Sequence, residues 1–216
     1  MAQRIIDPGN ATAAVDQISI SVLPTKTREF GFVPDLAKCM PGDLVLFRDA
    51  APSRASQLIA RTQSGAGFAS EHSAWTHAAI FLYEDFVVEA VPRHGVRTRT
   101  LYSDIPQRIL RVRRKSGLAD TDRYQIALRA LRMLGTRYAT ISAFKMGLRM
   151  AKGLWDANGS FESQSSIICS KVYFDAYADI TRAFLRNCPV GDAVLPAHLS
   201  ATPDLEDVEV GWLQLT

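Results

Sequence analysis

The hydrophobic period of this chain changes near Ser116. Between Pro41 and Val112, short apolar runs and alternating apolar and polar residues are separated by turn residues, which is typical of β-strands. Beyond Ser116, apolar residues recur every three or four positions, which is typical of amphipathic helices. A run of strands followed by helices predicts an α+β fold, in which an antiparallel sheet packs against helices.

The predicted strands are short, and most of them fall in one central block. The turn signature Pro41-Gly42-Asp43 leads into the first strand of this block. The strands are predicted at Leu44–Phe47, Trp75–Leu82, Phe86–Val91, Val96–Leu101, Gln107–Val112 and Val208–Leu215, and an alternating stretch at Gln17–Leu23 could be another. We interpret residues 1–40 as an N-terminal extension packed on or preceding a core domain of residues 41–216, since no repeat or linker indicates a second domain.

Four helices are predicted beside the sheet, each from its apolar spacing or its capping residues. They are expected within Ser53–Ser64, from Asp120 or Thr121 to Gly135, over Ala143–Leu154 and over Ile167–Phe184. The two longest would bury Tyr124, Ala127, Leu128, Leu131 and Leu134 in one case, and Val172, Tyr173, Ala176, Ile180 and Phe184 in the other. The segments Gly65–Ser73 and Asn187–Pro203 are predicted loops because they are rich in glycine, serine or proline.

Composition limits the classes of protein to consider. With 216 residues, 47% of them hydrophobic, the chain can bury one core without disulfides. A formal net charge of +3 is too small to indicate a nucleic-acid partner. The three cysteines show no paired spacing, which favours a reducing compartment. Neither a secretion signal nor a run of about 18 apolar residues is visible, so we expect a soluble, cytoplasmic protein without a transmembrane segment.

Cys169 is the first candidate for chemistry. It lies in the first turn of the helix predicted over Ile167–Phe184. Unpaired amide groups and the helix dipole favour a thiolate there over a thiol, so a nucleophile would be activated at this position. The alternative is that Cys169 is simply a small buried apolar residue, which is the commoner role of a free cysteine.

His77 and Glu89 interrupt two apolar strands that are predicted to form a hairpin. A buried imidazole and a buried carboxylate both need partners, so Glu89 could orient His77 as a general base. A three-residue loop at Tyr83–Asp85 would place the two side chains diagonally on one face, whereas a two-residue turn would place them on opposite faces. Alternatively, His77 is structural, and Glu89 is an exposed residue paired with an arginine of the segment Val96–Leu101.

Other histidines could supply the same chemistry. His94 and His198 lie in predicted loops, and either could be the base if the fold brings it to Cys169. A zinc site made of His72, His77 and a cysteine is a poor match, because the two histidines are five residues apart and no cysteine pair accompanies them. We therefore expect neither a metal nor an organic cofactor.

The order of these motifs points to a known family. The chain carries Pro-Gly-Asp-Leu-Val-Leu-Phe, Trp-Thr-His-Ala-Ala-Ile-Phe-Leu, Val-Val-Glu-Ala, His-Gly-Val and finally Ile-Cys-Ser-Lys-Val-Tyr. This order resembles the permuted papain-like cysteine hydrolases, namely the YiiX/YebB-like branch of the NlpC superfamily, which also includes relatives of lecithin retinol acyltransferase. In that branch the histidine strand precedes the cysteine helix, as it does here. The resemblance covers Pro41–Tyr177 and the proline-bearing stretch Leu195–Leu205.

The resemblance implies a circularly permuted papain-like fold with the catalytic cysteine at a helix N-terminus. It also implies that Cys169 is the nucleophile, His77 the general base and Glu89 the residue that orients the base. The implied activity is hydrolysis of an amide bond, as in a peptidase or amidase, through an acyl-enzyme. The substrate would be a peptide, a peptidoglycan fragment or an acyl lipid. Many members of the family are exported or lipid-anchored, whereas this chain shows no leader.

Two alternatives to amide hydrolysis stay open. A lipid acyl hydrolase, an acyltransferase or a thioesterase would use the same three residues on another carbonyl. A binding module would keep the fold without turnover. The basic stretches Arg93–Arg114 and Arg137–Lys152 could contact anionic head groups at a membrane surface, although solvated charge is the commoner explanation.

Overall fold

The computed structural model describes residues 12–13, 23–138, 166–190 and 194–215. The strands are β1 (Thr12–Ala13), β2 (Phe32–Asp35), β3 (Leu44–Asp49), β4 (His77–Tyr83), β5 (Phe86–Val91), β6 (Gly95–Thr100), β7 (Arg108–Arg114), β8 (Arg137–Tyr138), β9 (Ser166–Ile167), β10 (Glu206–Val208) and β11 (Gly211–Gln214). The helices are α1 (Thr25–Phe30), α2 (Arg54–Gly65), α3 (Ser70–Ser73), α4 (Asp120–Leu131), α5 (Cys169–Thr181) and α6 (Pro196–Ala201), and a 3₁₀ turn covers Leu101–Asp104.

The centre of the fold is a six-stranded antiparallel sheet in the order β10-β7-β3-β4-β5-β6. Its inner strands are buried on both faces, because alternate side chains enter two separate cores. Strands and helices are segregated along most of the chain, which agrees with the predicted α+β class.

The two cores divide the β3 and β4 side chains between them. Leu44, Leu46, Ala78 and Ile80 face the helices and pack with α4 and α5. On the opposite face, the intervening residues of the same strands pack with the 3₁₀ turn and the C-terminal strand β11. The helix-facing core fixes the position of α5 relative to β4, and these two elements carry the first two candidate residues.

A close backbone contact docks α4 against the turn that precedes β3. Gly42 has a φ of +84°, and a Cβ at this position would lie 2.7 Å from the carbonyl oxygen of Arg123. Only glycine combines this positive φ with such an approach. The predicted turn at Pro41-Gly42-Asp43 therefore also serves as a packing surface for a helix.

Most predicted strands are confirmed with bounds that differ by one or two residues. The C-terminal strand was predicted as one element over Val208–Leu215, but it is divided between β10 and β11, which pair in different sheets. The predicted loops Gly65–Ser73 and Asn187–Pro203 are wrong in part, because they contain the short helices α3 and α6. Residues 17–22 and the helix predicted over Ala143–Leu154 lie outside the described residues.

The predicted apolar stripe of α4 is confirmed for Ala127, which is buried, and for Leu131, which packs against the core, but it is wrong for the other three residues. Tyr124 and Leu128 are 59% and 55% exposed, whereas Arg123 is buried with Ile126, Ala127 and Ala130. Arg123 can be buried because it donates to the Lys115 carbonyl and lies 3.8 Å from Asp43. The N-cap is Ala119 without a side-chain hydrogen bond, rather than Asp120 or Thr121.

The stripe predicted for α5 is confirmed at its N-terminal end, where Val172, Tyr173 and Ala176 are buried. The helix ends at Thr181, and Phe184 beyond it is exposed. Ser53 caps α2, with its hydroxyl accepting from the amide of Ser56.

A second, three-stranded sheet joins the two ends of the described chain. β11 pairs with β1 in parallel and with β2 in antiparallel orientation. Phe30 and Phe32 contact each other edge to face, and Phe30 also contacts Trp212. The boundary at residue 40 stays a prediction. No helix among the described residues is long and apolar enough to cross a membrane.

Candidate active site

The β4–β5 hairpin brings His77 and Glu89 together. Ala79 pairs with Glu89 across the two strands, so His77, two residues before Ala79, lies diagonally from Glu89 on the same face. The His77 Nε2 and Glu89 Oε2 atoms are 2.7 Å apart. The side chain of Glu89 is 0% exposed and that of His77 is 14% exposed. This contact satisfies both groups at a site from which water is largely excluded.

The hairpin reaches this geometry by a route that differs from the predicted loop. Tyr83 pairs with Phe86, so the loop is the two-residue turn Glu84–Asp85 rather than three residues. A two-residue turn alone would put His77 and Glu89 on opposite faces. A bulge at Leu82 adds one residue to β4 and reverses the parity, so the two side chains share a face.

Cys169 is the first residue of α5, and its thiol lies within hydrogen-bonding reach of the His77 imidazole. The backbone amides of Ala78 and Ser170 also approach the sulfur. α5 begins after Ile168 without a side-chain cap, so no capping oxygen competes with the sulfur for the first amides of the helix. The three residues predicted from the sequence are therefore brought together in the order thiol, imidazole, carboxylate.

The protonation of Cys169 and His77 follows from their contact. Burial alone would raise the pKa of the Cys169 thiol, but the His77 imidazolium and the two amides outweigh it and lower that pKa. Burial alone would lower the pKa of His77, but the Cys169 thiolate and the Glu89 carboxylate raise it to about 9. Each charge favours the other, so the thiolate–imidazolium form of the pair is favoured over the neutral thiol–imidazole form.

Glu89 is held as a carboxylate by more than His77. Its Oε1 atom accepts from Arg97 Nε and Nη2, at 3.0 Å and 2.9 Å. It also lies 2.6 Å from Arg99 Nε, and Arg99 in turn binds Asp104. Burial would raise the pKa of Glu89, but His77 and Arg99 lower it well below the usual range. The expected alternative for Glu89 is thus half correct, because arginines of β6 do pair with it, but the residue is buried rather than exposed.

Tyr138 lies close enough to Cys169 for the charge of the thiolate to act on its phenol, a proximity that the sequence did not reveal. Tyr138 in β8 pairs with Ile167 in the parallel strand β9, and Ile167 lies two residues before Cys169 in the chain. Burial and the charge of the Cys169 thiolate raise the pKa of its phenol. Gly95 makes this placement possible, because a Cβ there would lie 2.2 Å from the carbonyl oxygen of Thr136. A local sequence pattern cannot predict a contact that depends on the close approach of two backbone segments that are far apart in the chain.

The other candidate histidines make different contacts. His198 accepts from the Leu195 amide through Nδ1 and packs edge to face on Phe68, and burial lowers its pKa to about 4. His94 lies exposed in the β5–β6 turn, and His72 contacts Ser200. Among the described residues, no group of three or more histidine, cysteine, aspartate or glutamate side chains is arranged to hold a metal ion.

Comparison with known proteins gives a likeness in fold. No family model matches this chain, and no curated protein matches it. The crystal structure of the YiiX protein from Escherichia coli O157:H7, which is described as a metalloprotein, is 19% identical to this chain and superposes with a TM-score of 0.52. The match covers 80% of this chain and 97% of that one. At this identity the likeness shows the fold alone, and it supports the YiiX-like part of the resemblance seen in the sequence.

Proposed function

We propose that this protein is a cysteine hydrolase with a permuted papain-like fold, which cleaves an amide bond through an acyl-enzyme on Cys169. The observation that carries the proposal is the hydrogen bond of His77 to buried Glu89, together with the placement of Cys169, the first residue of α5, against the His77 imidazole. The histidine strand precedes the cysteine helix in the chain, as in the permuted branch that the sequence resembles. The fold likeness to YiiX supports the same assignment.

The first half-reaction begins with the thiolate. The Cys169 sulfur attacks the carbonyl carbon, and the carbonyl electron pair moves onto oxygen to give a tetrahedral intermediate. His77 then donates its proton to the leaving nitrogen as the carbon–nitrogen bond breaks. The product of this step is a thioester on Cys169, a released amine and a neutral His77.

The second half-reaction returns the enzyme to its starting state. Neutral His77 takes a proton from water, and the resulting hydroxide attacks the thioester carbonyl. The carbon–sulfur bond breaks, a carboxylic acid leaves, and the thiolate–imidazolium pair is restored. Glu89 accepts from His77 at Nε2, which leaves Nδ1 as the ring nitrogen that serves the sulfur.

The oxyanion of the tetrahedral intermediate needs two donors. The amide of Cys169 belongs to the first turn of α5, where amide groups have no partner within the helix. The Tyr138 phenol is the second donor in this proposal, since it lies near enough to the sulfur for the thiolate to raise its pKa. A raised pKa keeps the phenol protonated at neutral pH, and therefore able to donate.

No step of this mechanism uses a metal. The Oε1 atom of Glu89 is already bound by Arg97 and Arg99, and its Oε2 atom is bound by His77. Two guanidinium groups against a carboxylate are a poor setting for a divalent cation, because they repel it and take its ligand. The side chains at this site therefore do not suit the kind of centre that the description of YiiX as a metalloprotein would suggest.

Intact-protein mass spectrometry tests the proposal. The purified protein is mixed with amide, ester and thioester compounds, and an acyl adduct on Cys169 is expected with amides. Cys169→Ala should abolish both adduct and turnover, whereas Cys39→Ala and Cys188→Ala should leave them unchanged. Adducts from esters or thioesters only would replace the amidase with an acyl-lipid hydrolase or thioesterase. Turnover at the unmodified rate in Cys169→Ala would refute the mechanism.

A further inference from the structure

A cleft of about 770 Å³ opens where the ends of β3, β4 and β7 meet α2. Its polar lining consists of Arg48, Asp49, Ser56, Gln57, Arg61 and Thr76. Thr76 is the chain neighbour of His77, so the two Cα atoms are only about 3.8 Å apart. The cleft therefore begins one residue from the proposed general base, and its volume lies in the range of small-molecule sites.

The lining of the cleft carries two positive charges and one negative charge. Arg48 and Arg61 contribute the positive charges. Asp49 already has partners, because it accepts from the Ser56 hydroxyl and lies 3.4 Å from Arg108 Nε, which backs it from β7. The charges of Arg48 and Arg61 therefore make the electrostatic potential of the cleft positive, which favours binding of an anion.

Arg48 has an unmet hydrogen-bonding group at this place. Its Nε is buried and, within the part of the chain that the structure describes, has no hydrogen-bond partner. The guanidinium group lies over the Trp75 ring, 5.5 Å from its centre, in the range of a cation–π contact. A buried donor without a partner costs free energy, and such groups are commonly completed by a bound molecule or ion.

We propose that this cleft is an anion subsite, which binds a carboxylate or phosphate group of the substrate beside the cleaved amide. The planar guanidinium of Arg48 presents parallel donors that match the oxygens of either group. Arg61, more exposed on α2, adds charge at the mouth of the cleft. The assignment to the substrate rests on the proposed function, whereas anion binding by the cleft does not.

Binding is tested first, without turnover. Wild type and Cys169→Ala are titrated by calorimetry with succinate and with inorganic phosphate, and saturable binding of at least one is expected in both proteins. Arg48→Gln should weaken it about tenfold or more, because a charged hydrogen bond is lost, and Arg61→Gln should weaken it less. Arg54→Gln on the same helix, which does not line the cleft, is the matched control and should bind as wild type does.

Arg48→Lys is a second variant, which tests the role of Arg48 even if Arg48→Gln does not fold. It keeps the charge and loses the fork of donors, so its affinity should fall between those of wild type and Arg48→Gln. The proposal is overturned if neither anion binds saturably, or if Arg48→Lys and Arg61→Gln both bind as tightly as Arg54→Gln does.

Substrate preference is tested second, with three amides that differ only in one group near the scissile bond: a carboxylate, a phosphate ester or a neutral carboxamide. Wild type should favour one anionic compound by about tenfold in kcat/KM, and Arg48→Gln should lose most of that preference. The favoured compound identifies carboxylate or phosphate as the source of the anion. Equal rates for all three would refute the subsite and leave the hydrolase standing. Anion binding that depends on Arg48, without turnover of any amide, would refute the hydrolase instead.

Discussion

Cys169 and Cys188 are both free cysteines shielded from solvent, yet their surroundings push their pKa values in opposite directions. Burial, together with the negative charge of Asp204, raises the pKa of Cys188 to about 12. Cys169 is more deeply buried, but His77 and two backbone amides lower its pKa. Burial alone makes a thiol inert, and an apposed cation at a helix start makes it a nucleophile. The difference lies in the neighbours rather than in the residue.

The largest effect on this comparison is expected from His77→Ala. Without the imidazolium, burial should raise the pKa of the Cys169 thiol, as it does for Cys188. The general acid is lost as well. Turnover should fall by about 10²–10⁴-fold. Stopped-flow or end-point assays of amide cleavage measure the loss, with His198→Ala as the control because its ring contacts Leu195 and Phe68. Equal activities of the two variants would contradict the role of His77.

The alkaline limb of the pH–activity profile is expected to report the same contact. The pKa of His77 is raised to about 9, so the imidazolium is retained at neutral pH and lost as pH rises through 9. Above that pH, kcat/KM should fall about tenfold per pH unit, because the proton for the leaving group is missing. Initial rates from pH 6 to about 10.5 check this limb. A fall centred near 6.5 would mean that neither the thiolate nor Glu89 supports the imidazolium.

Glu89→Gln is expected to have a smaller effect on activity, and it can be compared with a second buried carboxylate. Glutamine still accepts from His77 but carries no charge, so activity should fall about tenfold to a hundredfold and remain measurable. Asp43→Asn is the matched control. Asp43 is as buried as Glu89 and is bound by Arg114, at 2.6 Å, but it precedes the first residue of β3, whereas the last part of β3 pairs with His77.

Both substitutions should destabilise the fold, by about 3 kcal/mol at most, because each leaves partly buried arginines without their anion. Only Glu89→Gln should also lower the rate at which Cys169 is alkylated. Chemical denaturation measures the first effect and alkylation kinetics the second. An Asp43→Asn protein that folds but reacts as slowly as Glu89→Gln would show that Glu89 acts through stability alone.

The smallest effect is expected at the start of α2, which contrasts with the start of α5. Ser53 caps α2 through its hydroxyl, whereas α5 has no side-chain cap and presents the Cys169 sulfur to its amides. Ser53→Ala should lower the free energy of unfolding by about 1 kcal/mol, with Cys169 reactivity unchanged. Urea denaturation checks the first value. A change in reactivity would show that α2 influences the thiol directly.

The sequence could predict the features of this molecule that depend on local pattern. The strand block, a helix with Cys169 in its first turn and a serine cap on α2 all follow from spacing or residue preference within a few positions. The nearness of His77 and Glu89 was predicted with the wrong loop, because a bulge at Leu82 cannot be read from apolar alternation.

Features that depend on distant contacts were beyond the sequence. Arg123 replaces an apolar residue on the buried side of α4 because Lys115 and Asp43 lie next to it in the fold. Tyr138 reaches the site because Gly95 lets another stretch of backbone pass closely. In both cases the deciding partner is remote in the chain, and local propensity is overruled by tertiary packing.

The state of the Cys169 sulfur is tested most directly by its alkylation rate as a function of pH. Iodoacetamide is added to the native protein, and modification of each cysteine is followed by peptide mass spectrometry. We expect the Cys169 rate to change much less with pH between pH 8 and about pH 6 than that of an ordinary thiol, because His77 lowers the pKa of this thiol, while Cys39 and Cys188 react slowly throughout. A Cys169 rate that climbs about tenfold per pH unit through this range, as an ordinary thiol with a pKa near 8.5 does, would contradict the account.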